Sequence, residues 1–173
     1  MLCDNPGVNV FYSNKLPRTF DELFPALPNR SSIECTAAII LLISSIGNHW
    51  VSLIYDRHTN RISYYDPYNF DIEQDFEMAK IPDKTLVDLI RAKITNANKS
   101  SVPLYIELKS GIRNQSLRKN ITTCGVHSAL RCVFWGLSNA EFNEALSDFC
   151  DRHKMNADQA AVSMCLVPLM RLL

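Results

Sequence analysis

The chain has 173 residues, of which 47% are hydrophobic and 21% charged, a composition that excludes an intrinsically disordered protein. Eighteen basic and eighteen acidic side chains cancel, which argues against nucleic acid or an anionic membrane as the main partner. A chain of this length fits one domain, so we expect a single domain over residues 1–173.

The cysteines and the apolar segments indicate the compartment. Six cysteines are scattered along the chain without the close spacing of a disulfide scaffold. The N-terminus has no basic region followed by an apolar stretch, and the most apolar run, residues 37–43, is too short to span a bilayer. We therefore expect an intracellular protein with reduced thiols and no membrane partner.

The first third of the chain contains short elements. Residues 8–12 alternate weakly between apolar and polar, and residues 21–24 are compatible with a short helical turn. Residues 35–44 form an apolar run whose periodicity is compatible with a buried helix or a buried strand. Ser31-x-x-Glu34 resembles a capping box and would favour the helix.

The next segment predicts a β-hairpin. Residues 51–56 alternate as in a half-buried strand, residues 58–60 supply a turn, and residues 61–66 read as the returning strand. His49 precedes the first strand and Asp66 ends the second. Because antiparallel neighbours bring these two positions to the same edge of a sheet, we expect the two side chains to lie close together.

The second half of the chain is mainly helical. A strand is predicted at residues 102–108 and a polar loop at residues 109–120. Amphipathic patterns predict four helices: residues 83–96 with Asp83 as N-cap, a helix beginning at Cys124, residues 139–151, and residues 156–172 perturbed by Pro168. The order of strands first and helices last predicts an α+β fold.

One cysteine lies where chemistry is expected. Cys124 follows a polar loop and opens a mostly buried helix, where unpaired N–H groups and the helix dipole favour a thiolate. Gly125 would let a substrate carbonyl approach the backbone closely. His49 can hold the thiol proton and Asp66 can orient the imidazole. Each of these residues taken alone would more often have a structural role.

Together these residues form a pattern. His49-Trp50, then Asp66 in Tyr-Tyr-Asp-Pro, then Cys124-Gly125 at the start of a helix resembles the signature of clan CE cysteine peptidases. That clan includes adenain, its relatives in Maverick elements and the SUMO-specific proteases. The resemblance covers residues 8 to about 136 and favours a strand for the apolar run before His49.

The resemblance implies a fold and a mechanism. The fold is adenain-like and papain-like: α+β, with a central mixed, mostly antiparallel sheet packed against helices and the nucleophile at a buried helix N-terminus. Cys124 would attack a peptide or isopeptide carbonyl after a glycine-containing sequence. His49 would take the thiol proton, Asp66 would fix its tautomer, and Trp50 would line the substrate channel or simply fill the core. No cofactor and no metal is implied.

The oxyanion hole departs from the family pattern. The family has a glutamine six or seven residues before the cysteine, where this chain has Arg118 and Leu117. The nearest glutamine is Gln115, nine residues upstream, and a longer loop would bring its amide into place. Asn114, Asn120 or Arg118 could substitute for it.

Other functions remain open from the sequence. Cys124-x-x-His127 and Cys150-x-x-His153 could together bind zinc. The same fold could also serve a SUMO or ubiquitin-like-protein deconjugase, an acetyltransferase, or a non-catalytic binding module.

The resemblance also leads to expectations about partners. The substrate would be a protein, either a viral or mobile-element precursor polyprotein or a ubiquitin-like conjugate, and the location the host cytoplasm, the nucleus or a virion. Activation by DNA or by a peptide is open, and the chain is expected to be a monomer.

Overall fold

A computed structural model describes residues 7–24, 35–42, 47–81, 84–97, 99, 103–116 and 122–170. In this part of the chain, five strands form one sheet: β1 (Gly7–Tyr12), β2 (Cys35–Leu42), β3 (His49–Asp56), β4 (Arg61–Tyr65) and β5 (Tyr105–Glu107). Six helices accompany it: α1 (Phe20–Leu23), α2 (Ile72–Met78), α3 (Thr85–Ala97), α4 (Cys124–Val133), α5 (Asn139–His153) and α6 (Ala157–Met170).

The strands lie in the order β1-β2-β3-β4-β5. The two central pairings, β2 with β3 and β3 with β4, are antiparallel, while β1 with β2 and β4 with β5 are parallel. The antiparallel registers join eight and five residue pairs, against six and three in the parallel registers. A mixed α+β fold with a sheet packed against helices is therefore confirmed.

Helices cover both faces of the central strands. On one face, α1, α2 and α3 bury Leu23, Phe76 and Ile90 against alternate residues of the sheet. On the other face, α4 packs on β3, and Cys132 meets Ile54. The prediction that residues 51–56 are half-buried was wrong, because all six are buried. A strand covered on both faces can be buried throughout and need not show a polar face.

Two further predictions meet a clear outcome. Within the apolar run at residues 35–44, residues 35–42 form β2, a strand, while residues 43 and 44 and the capping-box residues Ser31 and Glu34 lie outside the described residues. In the described part of the strand predicted at 102–108, residues 103–108, only the three residues of β5 are in a strand. The N-cap Asp83 also lies outside the described residues.

Helix α2 was not predicted. It is seven residues long and begins with a capping box, in which Asp71 and Gln74 each accept a hydrogen bond from the other's backbone N–H. The Asp-x-x-Gln spacing was the available signal. Because α2 and α3 come before β5, the order of strands first and helices last holds only for β1 to β4 and α4 to α6.

The C-terminal helices form a second cluster beside the sheet. Helices α4, α5 and α6 bury Leu130, Phe142, Leu146 and Ala160 together with Tyr65 of β4. Helix α6 continues past Pro168 to Met170. Among the described helices, none combines the length and apolar character that crossing a membrane requires.

Candidate active site

The central hairpin brings an imidazole and a carboxylate together. His49 is the first residue of β3, and Asp66 directly follows β4. The antiparallel register pairs Ser52 with Tyr65, so both residues lie at the same end of the hairpin. His49 Nε2 lies 2.5 Å from Asp66 Oδ1. The proximity expected from the sequence is therefore present.

The carboxylate of Asp66 is held by the turn that follows it. Its Oδ1 also accepts the N–H of Tyr68 at 3.1 Å, and its Oδ2 accepts the N–H of Phe70 at 2.7 Å. The backbone N–H of Asp66 donates to Ser110 Oγ at 2.8 Å. Asp66 is fully buried. A buried carboxylate with this many donors has a fixed orientation, and so has the imidazole bonded to it.

The thiol of Cys124 lies on the other side of the imidazole. Cys124 is the first residue of α4, is 8% exposed, and makes a side-chain hydrogen bond with His49. Since Nε2 is bonded to Asp66, Nδ1 is the ring nitrogen that remains for sulfur. Backbone groups of Trp50 and Gly125 also bond to the thiol.

The electrostatics of this pair favour charge separation. Burial by itself would raise the pKa of Cys124, but the bonds from His49 and the two backbone groups outweigh it and lower that pKa. Burial would likewise lower the pKa of His49, but the bonds to Asp66 and Cys124 and the charges of Asp66 and Asp75 raise it to about 9. A thiolate beside an imidazolium is a reactive nucleophile with an acid ready to protonate a leaving group.

Trp50 and Gly125 touch each other beside the thiol. A Cβ built on Gly125 would lie 3.2 Å from Cδ1 of the Trp50 indole, so glycine makes room for this ring. The carbonyl of Trp50 accepts the Ser128 hydroxyl at 3.0 Å, which fixes β3 against α4. Trp50 therefore packs at the site and is only partly buried.

Gln115 lies on the side of the site that holds Asp66. The N–H groups of Asn114 and Gln115 both donate to the carbonyl of Pro67, at 2.9 and 3.0 Å. The side chain of Asn114 bonds to the Tyr65 hydroxyl at 3.0 Å and to Asn143 Oδ1 at 2.7 Å. Gln115 is 1% exposed. The loop is thus fastened to the residue after Asp66, whereas Leu117, Arg118 and Asn120 lie outside the described residues.

Sequence reasoning missed a second buried acid, Asp75. One ligand atom from each of His49, Asp66 and Asp75 lies within 4.8 Å of the other two. Asp75 Oδ2 accepts the Tyr64 hydroxyl at 2.5 Å. Burial and the charge of Asp66 raise the pKa of Asp75 to about 7. It lies on α2, the helix that the sequence analysis did not find.

In the described parts of the chain, His49, Asp66 and Asp75 form the only group of three or more such residues whose ligand atoms lie close enough together to hold a metal ion. The 2.5 Å contact between His49 and Asp66 leaves no room for an ion between those two atoms. The two Cys–His pairs considered for zinc, Cys124 with His127 and Cys150 with His153, do not form such a group in the described residues. His127 bonds to Asp158, and His153 stacks on Phe149 with 4.3 Å between ring centroids.

Comparison with known proteins finds a likeness among solved structures. No family model and no curated protein matches the chain. Among solved structures, the crystal structure of the ASFV pS273R protease in selenomethionine form is similar, with a TM-score of 0.45 and 13% sequence identity. The match covers 78% of this chain and 54% of that one, so the chain spans about half the length of this neighbour. A likeness at this level defines neither a family nor an activity.

Proposed function

We propose that the protein is a cysteine peptidase in which Cys124 is the nucleophile, His49 the acid–base residue and Asp66 the group that orients it. The observation that carries the proposal is the position of one imidazole, which bonds to a buried carboxylate at 2.5 Å and to a thiol at a helix N-terminus. The lowered pKa of Cys124 and the raised pKa of His49 support the same assignment.

The first half-reaction forms an acyl-enzyme. The sulfur of Cys124 attacks the carbonyl carbon of a peptide or isopeptide bond, and the carbonyl π electrons move to oxygen. The C–N bond then breaks, and the proton on His49 passes to the leaving nitrogen. The products are a free amine and a thioester on Cys124.

The second half-reaction releases the acid. Neutral His49 removes a proton from water, whose oxygen attacks the thioester carbonyl. The C–S bond breaks and the thiolate returns, again beside an imidazolium. Asp66 stabilises the imidazolium and keeps Nδ1 turned toward the sulfur throughout.

The oxyanion of each tetrahedral intermediate needs donors. We assign this role to the side-chain amide of Gln115 and to the backbone N–H of Cys124 at the start of α4. Gln115 is supported by its attachment to Pro67, one residue after Asp66. One such donor contributes about 3 kcal/mol to transition-state stabilisation.

The proposed substrate class is based on Trp50 and Gly125, which lie beside the thiol. The indole of Trp50 fills the space over Gly125 beside the thiol. A ring in this position favours substrate residues without a side chain, so we propose cleavage after glycine-containing sequences. Within this class we favour maturation of a viral or mobile-element precursor, with deconjugation of a ubiquitin-like protein as the alternative.

The test uses activity-based probes and peptides side by side. The purified chain is incubated with SUMO and ubiquitin vinyl sulfones and with peptides that contain paired glycines. We expect peptide hydrolysis or one covalent adduct. Cys124→Ala should abolish both, whereas Cys150→Ala, a change at a thiol of α5, should abolish neither.

Labelling that persists in Cys124→Ala, or complete inertness of the unmodified chain toward all of these reagents, would overturn the proposal. An adduct with SUMO or ubiquitin but no peptide hydrolysis would select deconjugation.

A further inference from the structure

A second carboxylate, Asp158, joins both sides of the segment between Gln115 and Cys124. Asp158 is the second residue of α6 and is 7% exposed. Its Oδ2 accepts the backbone N–H of Ser116 at 3.1 Å, and its Oδ1 accepts the hydroxyl of Thr123. Ser116 directly follows Gln115, and Thr123 directly precedes Cys124. One side chain thus bonds to the neighbour of each assigned oxyanion donor.

Thr123 is an unusual N-cap. It occupies the N-cap position of α4, but its side chain makes no capping hydrogen bond to that helix. A threonine at this position normally accepts an N–H from the first turn. Here its hydroxyl donates to Asp158 instead. The Thr123 side chain therefore caps none of the first-turn N–H groups of α4, and that of Gly125 bonds to the sulfur of Cys124.

His127 completes the contacts of this carboxylate. It lies one turn after Cys124 on α4, is fully buried, and its Nε2 lies 3.2 Å from Asp158 Oδ1. Burial lowers its pKa despite the bond to Asp158, which favours the neutral ring. Its Nδ1 has no hydrogen-bond partner among the described residues, so the proton lies on Nε2 and points at Asp158. Three donors therefore meet one carboxylate.

We propose that Asp158 is a positioning residue that holds Gln115 and the N-terminus of α4 in the arrangement needed to bind the oxyanion. This inference rests on the proposed peptidase function. Asp158 touches neither the thiol nor the imidazole of the candidate triad in any described contact. It acts through Ser116 on one side and through Thr123 and His127 on the other.

An asparagine at this position cannot reproduce the contacts. A carboxylate accepts at both oxygens, whereas an amide offers one accepting oxygen and one donating nitrogen. With its NH2 toward Ser116, the amide faces an N–H that can only donate. With its NH2 toward Thr123 and His127, the hydroxyl must turn to accept and the imidazole must move its proton to Nδ1. Either orientation disturbs one side of the anchor, and a small displacement of an oxyanion donor lowers the rate strongly.

The test compares Asp158→Asn with Asp151→Asn, the same change at an exposed acid of α5. We expect Asp158→Asn to lower kcat for peptide hydrolysis about tenfold to a hundredfold with little change in KM. Alkylation of Cys124 by iodoacetamide passes through no oxyanion, so its rate should change less than about twofold. Asp151→Asn should match the unmodified chain in both assays.

A double-mutant cycle with Gln115→Ala separates positioning from general destabilisation. If Asp158 acts in part through Gln115, Asp158→Asn slows the Gln115→Ala variant by a smaller factor than it slows the unmodified chain. If the two losses multiply in full, or if alkylation of Cys124 falls in parallel with hydrolysis, the proposal is wrong. Should Asp158→Asn fail to fold, Thr123→Val removes one donor at constant shape and should show a smaller loss of the same kind.

A structural readout keeps this inference independent of the peptidase assignment. Amide hydrogen exchange at Ser116 and at residues 122–126 should accelerate in Asp158→Asn and stay unchanged in Asp151→Asn. If the unmodified chain hydrolyses nothing but exchange accelerates, the function is wrong while the anchoring by Asp158 is real. If exchange is unchanged, Asp158 does not hold this loop.

Discussion

The imidazole of His49 has a buried acid on one side and a thiol on the other. Its protonation therefore affects the ionisation of the thiol. Its pKa is raised to about 9 while that of Cys124 is lowered. A lowered thiol pKa beside a raised imidazole pKa favours the form in which the proton resides on nitrogen and the sulfur is a thiolate. The other described thiols lack such a partner, and burial raises the pKa values of Cys132, Cys150 and Cys165.

The first prediction concerns the reactivity of this thiol. Iodoacetamide should alkylate Cys124 with a midpoint below 9.0, the ordinary pKa of a thiol. In His49→Ala the midpoint should rise, because the main bond that stabilises the thiolate is gone. Mass spectrometry of the labelled peptide as a function of pH measures both values. His58→Ala, a change in the turn between β3 and β4, serves as the control. An unchanged midpoint in His49→Ala would mean that the imidazole does not stabilise the thiolate.

The second prediction concerns Asp75, the second buried acid near His49. The pKa of Asp75 is raised from 3.8 to about 7, first by burial and then by the charge of Asp66. The folded protein thus binds more protons than the unfolded chain between these values, so its free energy of unfolding falls as pH rises through that interval. Asp75→Asn removes this titration and keeps an oxygen for the Tyr64 hydroxyl.

Relative to the unmodified chain, the Asp75→Asn variant should therefore gain stability as pH rises from about 4.5 to about 7.5. Thermal unfolding at the two pH values measures this difference. Asp71→Asn, a change at the partly exposed N-cap of the same helix that keeps a capping side chain, should show a much smaller pH dependence. A gain that is equal at both pH values would indicate that Asp75 is ionised throughout.

At the scale of elements, two helix N-termini determine the site. Helix α4 presents Cys124 without a capping bond from the Thr123 side chain, and the N–H of Gly125 bonds to the sulfur. Helix α2 has the opposite arrangement, with a complete capping box at Asp71 and Gln74. This cap fixes a helix of only seven residues, and that helix carries Asp75 toward His49. Short helices depend strongly on such local bonds.

The third prediction tests this dependence. Asp71→Ala removes the oxygen that accepts the Gln74 N–H at 2.9 Å. The free energy of unfolding should fall by about 1 kcal/mol. Urea denaturation followed by circular dichroism measures it, and Glu77→Ala, at an exposed position on the same helix, should change it by less than about 0.5 kcal/mol. Equal effects of the two changes would show that the cap does not stabilise α2.

At the scale of the whole molecule, one amide joins the sheet to the C-terminal helices. Asn139 begins α5 and is 3% exposed. Its Nδ2 donates to the carbonyls of Tyr64 and Lys109, each at 2.9 Å, and its Oδ1 accepts Nε of Arg131 at 3.0 Å. These bonds connect β4, the chain after β5 and α4. They help to hold Cys124 of α4 at a fixed distance from the hairpin.

The fourth prediction follows from these bonds. Asn139→Ala leaves two carbonyls and one guanidinium N–H without this partner in the interior. Because each unsatisfied buried group costs about 1–3 kcal/mol, we expect a loss of about 3 kcal/mol or more in the free energy of unfolding. Glu144→Ala, exposed on α5, is the control for chemical denaturation. A loss below about 1 kcal/mol would mean that water replaces the amide.

Much of the candidate site could be predicted from the sequence because its information is local. The hairpin of β3 and β4 follows from alternation and a turn, and antiparallel pairing then brings His49 and Asp66 to one edge. The start of α4 at Cys124 follows from the change from a polar loop to an apolar helical pattern. The resemblance was needed to predict a strand for β2, since a continuous apolar run has no period that separates a strand from a helix.

Only the tertiary structure decided the rest. Burial of β3 on both faces depends on α4 and on α1 to α3, which lie far away in the chain. The approach of Asp75 to His49 and of Asp158 to Thr123 joins residues 26 and 35 positions apart. Contacts of this kind are set by how helices pack on the sheet, which no pattern within a single segment records. The sequence by itself determined the hairpin and the residue types of the site, because these depend on neighbours in the chain. The packing of helices on the sheet determined which acids and hydrogen-bond donors surround the site.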